Sequence, residues 1–254
     1  SQLSNFIPKN SQPKFTFSCS IPHNIQKEIY NYKILNDTET IPSIINGKIY
    51  YQGEFRETIS PFDKDYFSAK FHYTSGDLFK TASYRHKLAK KHWNEIDIDK
   101  RLEIFLTAAD KIETNYYDKL IATTILSQNK TPYEAEIDAI CELADFLRFN
   151  VHYTTQIYQK QPISPPGYKN VSQYQPLNGY VAAITPFNFT AIAGNLAASA
   201  LMMGNSVLWK PSDSAVLSNF LVWEILVESG MPPEICNFVP MEGHKFLDFI
   251  KRDS

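Results

Sequence analysis

Two short apolar runs, Tyr180–Ile184 and Ser206–Trp209, show no alternation with polar residues, the pattern of strands buried on both faces. Between them Ala191–Met203 is rich in small apolar residues and reads as a helix. The three segments form a βαβ unit, so the two strands are expected to be parallel neighbours. The first run ends at Thr185-Pro186-Phe187-Asn188-Phe189-Thr190 and the second at Lys210-Pro211-Ser212-Asp213. Both polar marks therefore fall at the carboxyl ends of adjacent parallel strands, where open α/β sheets bind ligands. Pro211-Ser212-Asp213 also reads as an N-cap for a helix over Ala215–Ser229, which is apolar almost all round and closed by Gly230. A third strand is expected at Ile235–Val239, and Lys245–Lys251 opens a further helix.

Upstream the pattern is mostly helical. Ser43–Tyr51 sets Asn46-Gly47 between two apolar runs, a strong hairpin signal, and Phe67–Tyr73 reads as a strand before Gly76 breaks the chain. A helix from Leu78 to about His92 carries Lys80, Arg85, Lys87, Lys90 and Lys91, the pattern of a solvated face. Ile104, Phe105, Ala108, Ile112, Tyr116 and Leu120 recur with helical spacing, with Asp97 or Asp99 placed as cap. Thr131-Pro132-Tyr133-Glu134 is a capping box with Pro at the first helical position, starting a helix that runs to about Tyr158. Residues 1–27 contain Lys9, Lys14 and Lys27 but no acid, and read as an irregular surface arm. A targeting-peptide remnant is the alternative there, although such peptides are Arg-rich and this segment has none. Gln161–Tyr168 is a Pro- and Gly-containing break which, with Val171–Gln175, suggests a projecting arm for subunit contacts.

Composition adds limits. At 254 residues, 43% apolar and 20% charged, the chain has material for one large or two ordinary globular domains. A formal net charge of −2 gives no reason to expect a nucleic acid partner. Ala191–Met203 is interrupted by Gly194 and Asn195 and is too short to span a bilayer, so no membrane is expected. Cys19, Cys141 and Cys236 are far apart, with neither the spacing of a zinc site nor that of a disulfide framework, which suits a reducing compartment.

The candidate chemistry lies at the polar marks and on one helix. Asn188 can donate its amide to a developing oxyanion, or can instead cap the helix that begins near Thr190. Lys210 can bond ribose hydroxyls or a phosphate, or be merely solvated. Asp138, Glu142 and Asp145 share one helix face, and neither Asp138 nor Glu142 has a Lys or Arg three or four residues away. They read either as a solvated acidic stripe or as a set in which one carboxylate faces a ligand ammonium. No GxGxxG or GxxxxGK[ST] loop is present, and no Ser, Cys or His sits in a nucleophile context. The residues alone thus describe a ligand-binding α/β domain with an amide able to polarise an electrophile.

The blocks PFNFTAIAGNL (186–196) and MGNSVLWKPSD (203–213) resemble the aldehyde dehydrogenase superfamily. Within it the likeness is to the branch of Δ1-pyrroline-5-carboxylate (glutamate γ-semialdehyde) dehydrogenases, since many members read PWNFP where this chain has Phe187 and Thr190. KTPYEAEIDAICELADFLRFN (130–150), QPIS (161–164) and ESGMPPEICNFVP (228–240) extend the likeness over most of the chain. The resemblance implies the N-terminal part of that α/β fold. Its parts would be a mostly helical region (1–160), a projecting oligomerisation arm (161–178) and an incomplete Rossmann-like parallel sheet (179–254), with the catalytic domain outside the chain. It implies NAD as cofactor and L-glutamate γ-semialdehyde as small-molecule substrate, oxidised to L-glutamate in proline catabolism. A homodimer or higher homo-oligomer is implied at full length, in the mitochondrial matrix or, for a bacterial protein, the cytoplasm.

Carried over position by position, Asn188 resembles the oxyanion-stabilising amide and Lys210 the adenosine-ribose ligand. Thr185 and Phe187 would line the nicotinamide path, and Asp213 would be a further ribose-side contact. Glu142 matches the acid near the substrate α-amino group, and Phe189 would pack on the aliphatic part of the semialdehyde. Two departures are visible: Ser127-Gln128-Asn129-Lys130 stands where the family usually has Gly-Gln-Gly-Lys, and Ala200 replaces a common Pro. The family's nucleophilic Cys, general-base Glu and Gly-Ser cofactor loop find no counterpart here, and no cysteine lies in a GQxCS-like context. An inactive fragment of the enzyme is therefore expected. The alternatives are a non-catalytic binding or association module and a dehydrogenase of another semialdehyde.

Overall fold

The structure, a computed structural model, describes residues 2–17 and 20–253. Its centre is a five-stranded sheet of order β2-β1-β7-β6-β5. Strands β5 (Val181–Ile184), β6 (Val207–Lys210) and β7 (Cys236–Phe238) run parallel, with Val181 opposite Val207 and Trp209 opposite Phe238. β1 (Ser43–Ile45) and β2 (Lys48–Tyr50) form the expected hairpin, whose turn residues Asn46 (φ 51°) and Gly47 (φ 74°) both lie in the left-handed region that such a tight turn requires. The hairpin also joins the main sheet, because β1 pairs antiparallel with β7 at Ile44 and Phe238. β6 is buried throughout, but β5 is not buried on both faces as its apolar pattern suggested. Among the described residues it is one of the sheet's two edge strands, and Ile184 is 44% exposed. A separate antiparallel pair, β3 (Phe55–Ile59) and β4 (Phe67–His72), includes one strand not anticipated. The sequence FRETI alternates exposed and half-buried positions, with none fully buried, and carries little apolar signal.

The helices depart from expectation in instructive ways. α1 (His23–Thr38) was not foreseen; it buries few apolar side chains, chiefly Ile25 and Ile29, so its period is faint. α2 (Gly76–Glu95) starts at Gly76 rather than after it, with the Ser75 hydroxyl accepting from Leu78 N. Lys90 on α2 is not solvated: its ammonium donates to the carbonyls of Leu177 and Gly179 (2.8 Å to Gly179), pinning the end of the 160–179 segment. The run through 104–120 is two helices, α3 (Ile98–Glu113) and α4 (Tyr117–Gln128). They part at Thr114, whose hydroxyl turns back to Asp110 O at 2.6 Å. α4 ends at Asn129 with φ 54°, a left-handed conformation that Asn tolerates better than most residues other than Gly.

The capping box of Thr131 and Glu134 forms as expected and opens α5 (Pro132–Glu136). This continues through one π-helical turn (Ile137–Glu142) into α6 (Leu143–Gln159). α7 (Thr190–Met202) joins β5 to β6, and a Cβ built on its Gly194 would meet Leu143 Cδ1 at 2.6 Å, so glycine lets α7 and α6 approach closely. A 3₁₀ turn (Asp213–Ala215) precedes α8 (Val216–Glu228), and the N-cap position Ser212 contributes no side-chain bond. Gly230 (φ 112°) ends that helix as predicted, and α9 (Gly243–Asp253) follows β7. A continuous core joins Trp93, Phe105, Trp209 and Phe238, and two of the three buried indoles find carbonyls: Trp93 Nε1 to Leu201 O and Trp223 Nε1 to Cys236 O, each 2.8 Å.

Residues 160–179 carry no strand or helix. They close on themselves through Ser172 N to Gln161 Oε1 and Asn170 Nδ2 to Ile163 O, both 2.8 Å, and leave Ile163, Tyr168, Val171 and Leu177 exposed. After a 3₁₀ turn at Gln2–Asn5, residues 6–17 are irregular but anchored. Buried Glu136 accepts from the backbone amides of Lys14 and Phe15 and from the Tyr117 hydroxyl. Asp145 accepts from Ser11 N and Asn10 Nδ2, each 2.8 Å. Among the described residues no helix is long and apolar enough to cross a membrane, and no cluster of His, Cys, Asp and Glu could hold a metal.

Candidate functional site

Ile184 and Lys210 are partners across β5 and β6, so the two polar marks leave the sheet side by side. Thr185 is buried directly after the strand. Its hydroxyl donates to Asn219 Oδ1 (3.0 Å) and accepts from Trp209 Nε1 (3.0 Å), while its amide donates to Lys210 O (3.1 Å). That side chain is fully engaged in holding the strand ends together. Lys210 is only 6% exposed, and its ammonium donates to Pro211 O at 2.7 Å. Burial lowers its pKa, an effect that nearby Asp213 opposes. The Asp213 carboxylate accepts from the Tyr73 hydroxyl, whose own pKa is raised by burial and by that carboxylate.

Between these anchors the loop exposes Phe187, Asn188 and Phe189. Asn188 does not cap α7. The N-cap position is Phe189, which offers no side-chain bond, and the free amides of Thr190 and Ala191 are taken instead by Asp138 at 2.9 and 2.8 Å. A carboxylate from another helix thus meets the positive pole of α7. The Asp138 carboxylate, 2% exposed, is neutralised by Lys130 Nζ at 2.8 Å. Lys130 also donates to Asn188 O (2.7 Å) and stands 4.1 Å from the Phe189 ring centroid. Thr190 is held from the other side by Thr124 Oγ1 (3.0 Å) and Gln128 Nε2 (2.9 Å). The Asn188 amide is left without a hydrogen bond among the described residues, on a loop fixed at both ends.

The three acids of the α5–α6 helix have three different fates. Asp138 is a buried cap, and Asp145 holds the N-terminal segment. Glu142 is exposed, with no hydrogen bond or ion pair among the described residues. Its pKa is raised, first by desolvation and then by Asp138 and Asp145, with Lys130 acting against them. The solvated-stripe alternative therefore fails for Asp138, whose cation Lys130 lies eight residues earlier, outside the helix and beyond helical spacing. The turn bearing Asp138 and Glu142 is π-helical, an irregularity frequent at functional sites.

Neither described thiol is exposed or lowered in pKa, as an activated nucleophile is. Cys141 and Cys236 are buried; burial and nearby carboxylates push the Cys141 thiol up to about 11, and burial alone raises that of Cys236. Cys19 lies outside the described residues. A broad cleft of about 1200 Å³ lies elsewhere, at the amino end of β5 between α2 and Asn178–Tyr180, and includes none of the strand-end residues.

Comparison with known proteins bears on the chain as a whole. The model of the aldehyde dehydrogenase family matches residues 50–254. The mitochondrial delta-1-pyrroline-5-carboxylate dehydrogenase of Rattus norvegicus is 40% identical over 242 residues, covering 94% of this chain and 43% of that protein. The probable delta-1-pyrroline-5-carboxylate dehydrogenase of Schizosaccharomyces pombe is 46% identical over 202 residues, covering 79% of this chain and 37% of that protein. A crystal structure of the Mycobacterium tuberculosis delta-pyrroline-5-carboxylate dehydrogenase superposes with a TM-score of 0.88 at 36% identity, over 96% of this chain and 45% of the other. The same enzyme solved with NAD bound gives 0.87 at 36% identity, over 95% and 45%. The chain spans less than half the length of these relatives. Sequence and backbone agree over most of its residues: the chain belongs to the aldehyde dehydrogenase family, and its α/β architecture is part of that family's fold.

Proposed function

We propose that this chain is the cofactor-binding and electrophile-polarising part of an NAD-dependent dehydrogenase that oxidises L-glutamate γ-semialdehyde to L-glutamate. The observation that carries the reading is the Asn188 amide, exposed and relieved of capping duty by Asp138. An amide held in this way donates to the oxygen that gains charge when a nucleophile adds to an aldehyde. Similarity to enzymes named for pyrroline-5-carboxylate, the cyclic form of that semialdehyde, supports the substrate.

Lys210 and Phe187 fit a dinucleotide. The ammonium makes one described protein hydrogen bond, which leaves donors for ribose hydroxyls, and the Phe187 ring is 63% exposed on the loop that leaves the neighbouring strand. Thr185 and Asp213 serve the cofactor as walls, since their polar groups are already held by Asn219 and Trp209 and by Tyr73. Bound NAD supplies the hydride acceptor. Glu142, a carboxylate without a cation of its own, receives the substrate α-ammonium, and Phe189 offers its exposed ring to the aliphatic part. The nucleophilic thiol and the general base come from outside these residues. The exposed apolar residues of 161–178 support a role for that segment as an arm in a homodimer or larger homo-oligomer. It projects from a cofactor-binding unit that 1–160 and 179–254 build jointly. Relatives from rat and Dictyostelium discoideum are named mitochondrial, which supports the mitochondrial matrix as location.

The test is NAD reduction with glutamate semialdehyde, by residues 1–254 alone and by the protein that carries them together with a nucleophilic Cys. Turnover is expected only from the second. Turnover by 1–254 alone, abolished by substituting Cys19, Cys141 or Cys236, would overturn the proposed division of labour.

A further inference from the structure

We infer that Lys130 and Asp138 act together as positioning residues for the Asn188 amide, an inference that rests on the oxyanion role proposed for Asn188. Neither touches a reacting atom. Their effect comes from how completely they grip the backbone on which Asn188 sits.

An ammonium has three protons, and the surroundings of Lys130 account for all of them. One is met by Asp138 Oδ2 at 2.8 Å, one by the carbonyl of Asn188 at 2.7 Å, and one by the face of Phe189, whose centroid is 4.1 Å away. Asp138 takes the next two residues, accepting from Thr190 N at Oδ2 and from Ala191 N at Oδ1. Two side chains thus hold four consecutive residues, 188 to 191. The carbonyl of Asn188 is fixed from outside, so its Cα–Cβ bond leaves the loop in one direction while its amide stays free.

The pair is interdependent. A carboxylate as buried as Asp138 is costly without a cation, and Lys130 is that cation. Lys130, in the loop before α5, is not drawn into that helix's start, because the capping box beside it closes on itself: Thr131 N and Oγ1 both donate to Glu134 Oε2, each at 2.9 Å. Donors to an oxyanion act through preorganisation, and a displacement of the order of 1 Å can remove about a hundredfold in rate. Lys130 and Asp138 supply that preorganisation.

The experiment is a double-mutant cycle in the enzyme that contains this chain. Turnover is read with a plain aliphatic aldehyde at saturating NAD, so that Glu142, which Lys130 also influences, takes no part. Lys130→Met is expected to lower kcat by about ten- to a hundredfold, leaving the Kd for NAD unchanged. Asn188→Ala is expected to lower it by about 10²–10³. The double variant should be no slower than Asn188→Ala alone, because a positioning residue has nothing left to position. Losses that multiply would mean Lys130 acts by some other route and would overturn the inference alone. A normal kcat for Asn188→Ala would overturn the oxyanion reading and the inference with it. If Lys130→Met does not fold, Lys130→Gln takes its place in the same cycle with the same two outcomes.

Discussion

The indole of Trp209 donates to the hydroxyl of Thr185 at 3.0 Å, tying the end of β6 to the end of β5 in the buried layer beneath the candidate site. The same hydroxyl donates to Asn219, so Thr185 is the centre of a buried polar chain. Thr185→Val keeps the shape and leaves Trp209 Nε1 and Asn219 Oδ1 unsatisfied. Chemical denaturation should show a loss of about 1–3 kcal/mol. An unchanged midpoint together with weakened NAD binding would assign the hydroxyl to the cofactor instead.

Glu142→Gln separates substrate recognition from scaffold. The folded pKa of Glu142 is raised, so the folded state holds the proton more tightly than the unfolded chain. The wild-type protein therefore loses stability as pH rises from the ordinary carboxylate range through the raised value, and the Gln variant does not. Their unfolding midpoints should coincide in acid and separate, with Gln the more stable, towards neutral pH. The gap should be small because the group is exposed and screened. In the dehydrogenase proposed above the same change should raise the KM for glutamate semialdehyde by about ten- to a hundredfold and spare that for an uncharged aldehyde. Equal effects on both substrates would remove Glu142 from the recognition site.

Lys210→Met tests the cofactor site with the opposite sign. Burial lowers the pKa of Lys210, so the folded chain gives up this proton more readily than the unfolded chain. Wild-type stability gains as pH rises from the lowered value to the ordinary lysine range, and the Met variant lacks that gain. At neutral pH the variant should be at least as stable as the wild type while NAD affinity falls about tenfold. Titration calorimetry reads the affinity; unchanged NAD binding would return Lys210 to a purely structural role.

Glu136 offers a test of the N-terminal anchor. Glu136→Ala deprives Lys14 N, Phe15 N and the Tyr117 hydroxyl of their shared acceptor. A cost of about 2 kcal/mol or more is expected, with faster hydrogen exchange at the amides of Lys14 and Phe15. Protection at those amides equal to that of the wild type would show that Phe15 packing, not Glu136, holds the segment.

What could be read from the sequence was local. The Asn46-Gly47 hairpin and the Thr131 capping box each declare themselves within a dozen residues, and the β5–α7–β6 unit in three successive apolar runs. α1 was hidden because Ile25 and Ile29 give too short a period, and β3 because an alternating strand with charged positions resembles a loop. The clamp on Asn188 was illegible for a different reason. Asp138 caps an amide 53 residues away, and its cation lies eight residues back in a loop, so no spacing rule connects them. Asn188 looked like a cap because local sequence does not show that a distant carboxylate already fills that role.

β5 ends the sheet on one side, and its four residues, Val181–Ile184, contain neither charge nor proline. Such an edge is a template for any strand that reaches it, since its outward amides and carbonyls have no partner in the described sheet. It adjoins Thr185 and the Asn188 loop, so an added strand would end within reach of the same strand-end residues. The edge thus marks where further polypeptide can complete both the sheet and the site. Residues 1–254 made alone should, for the same reason, self-associate as their concentration rises.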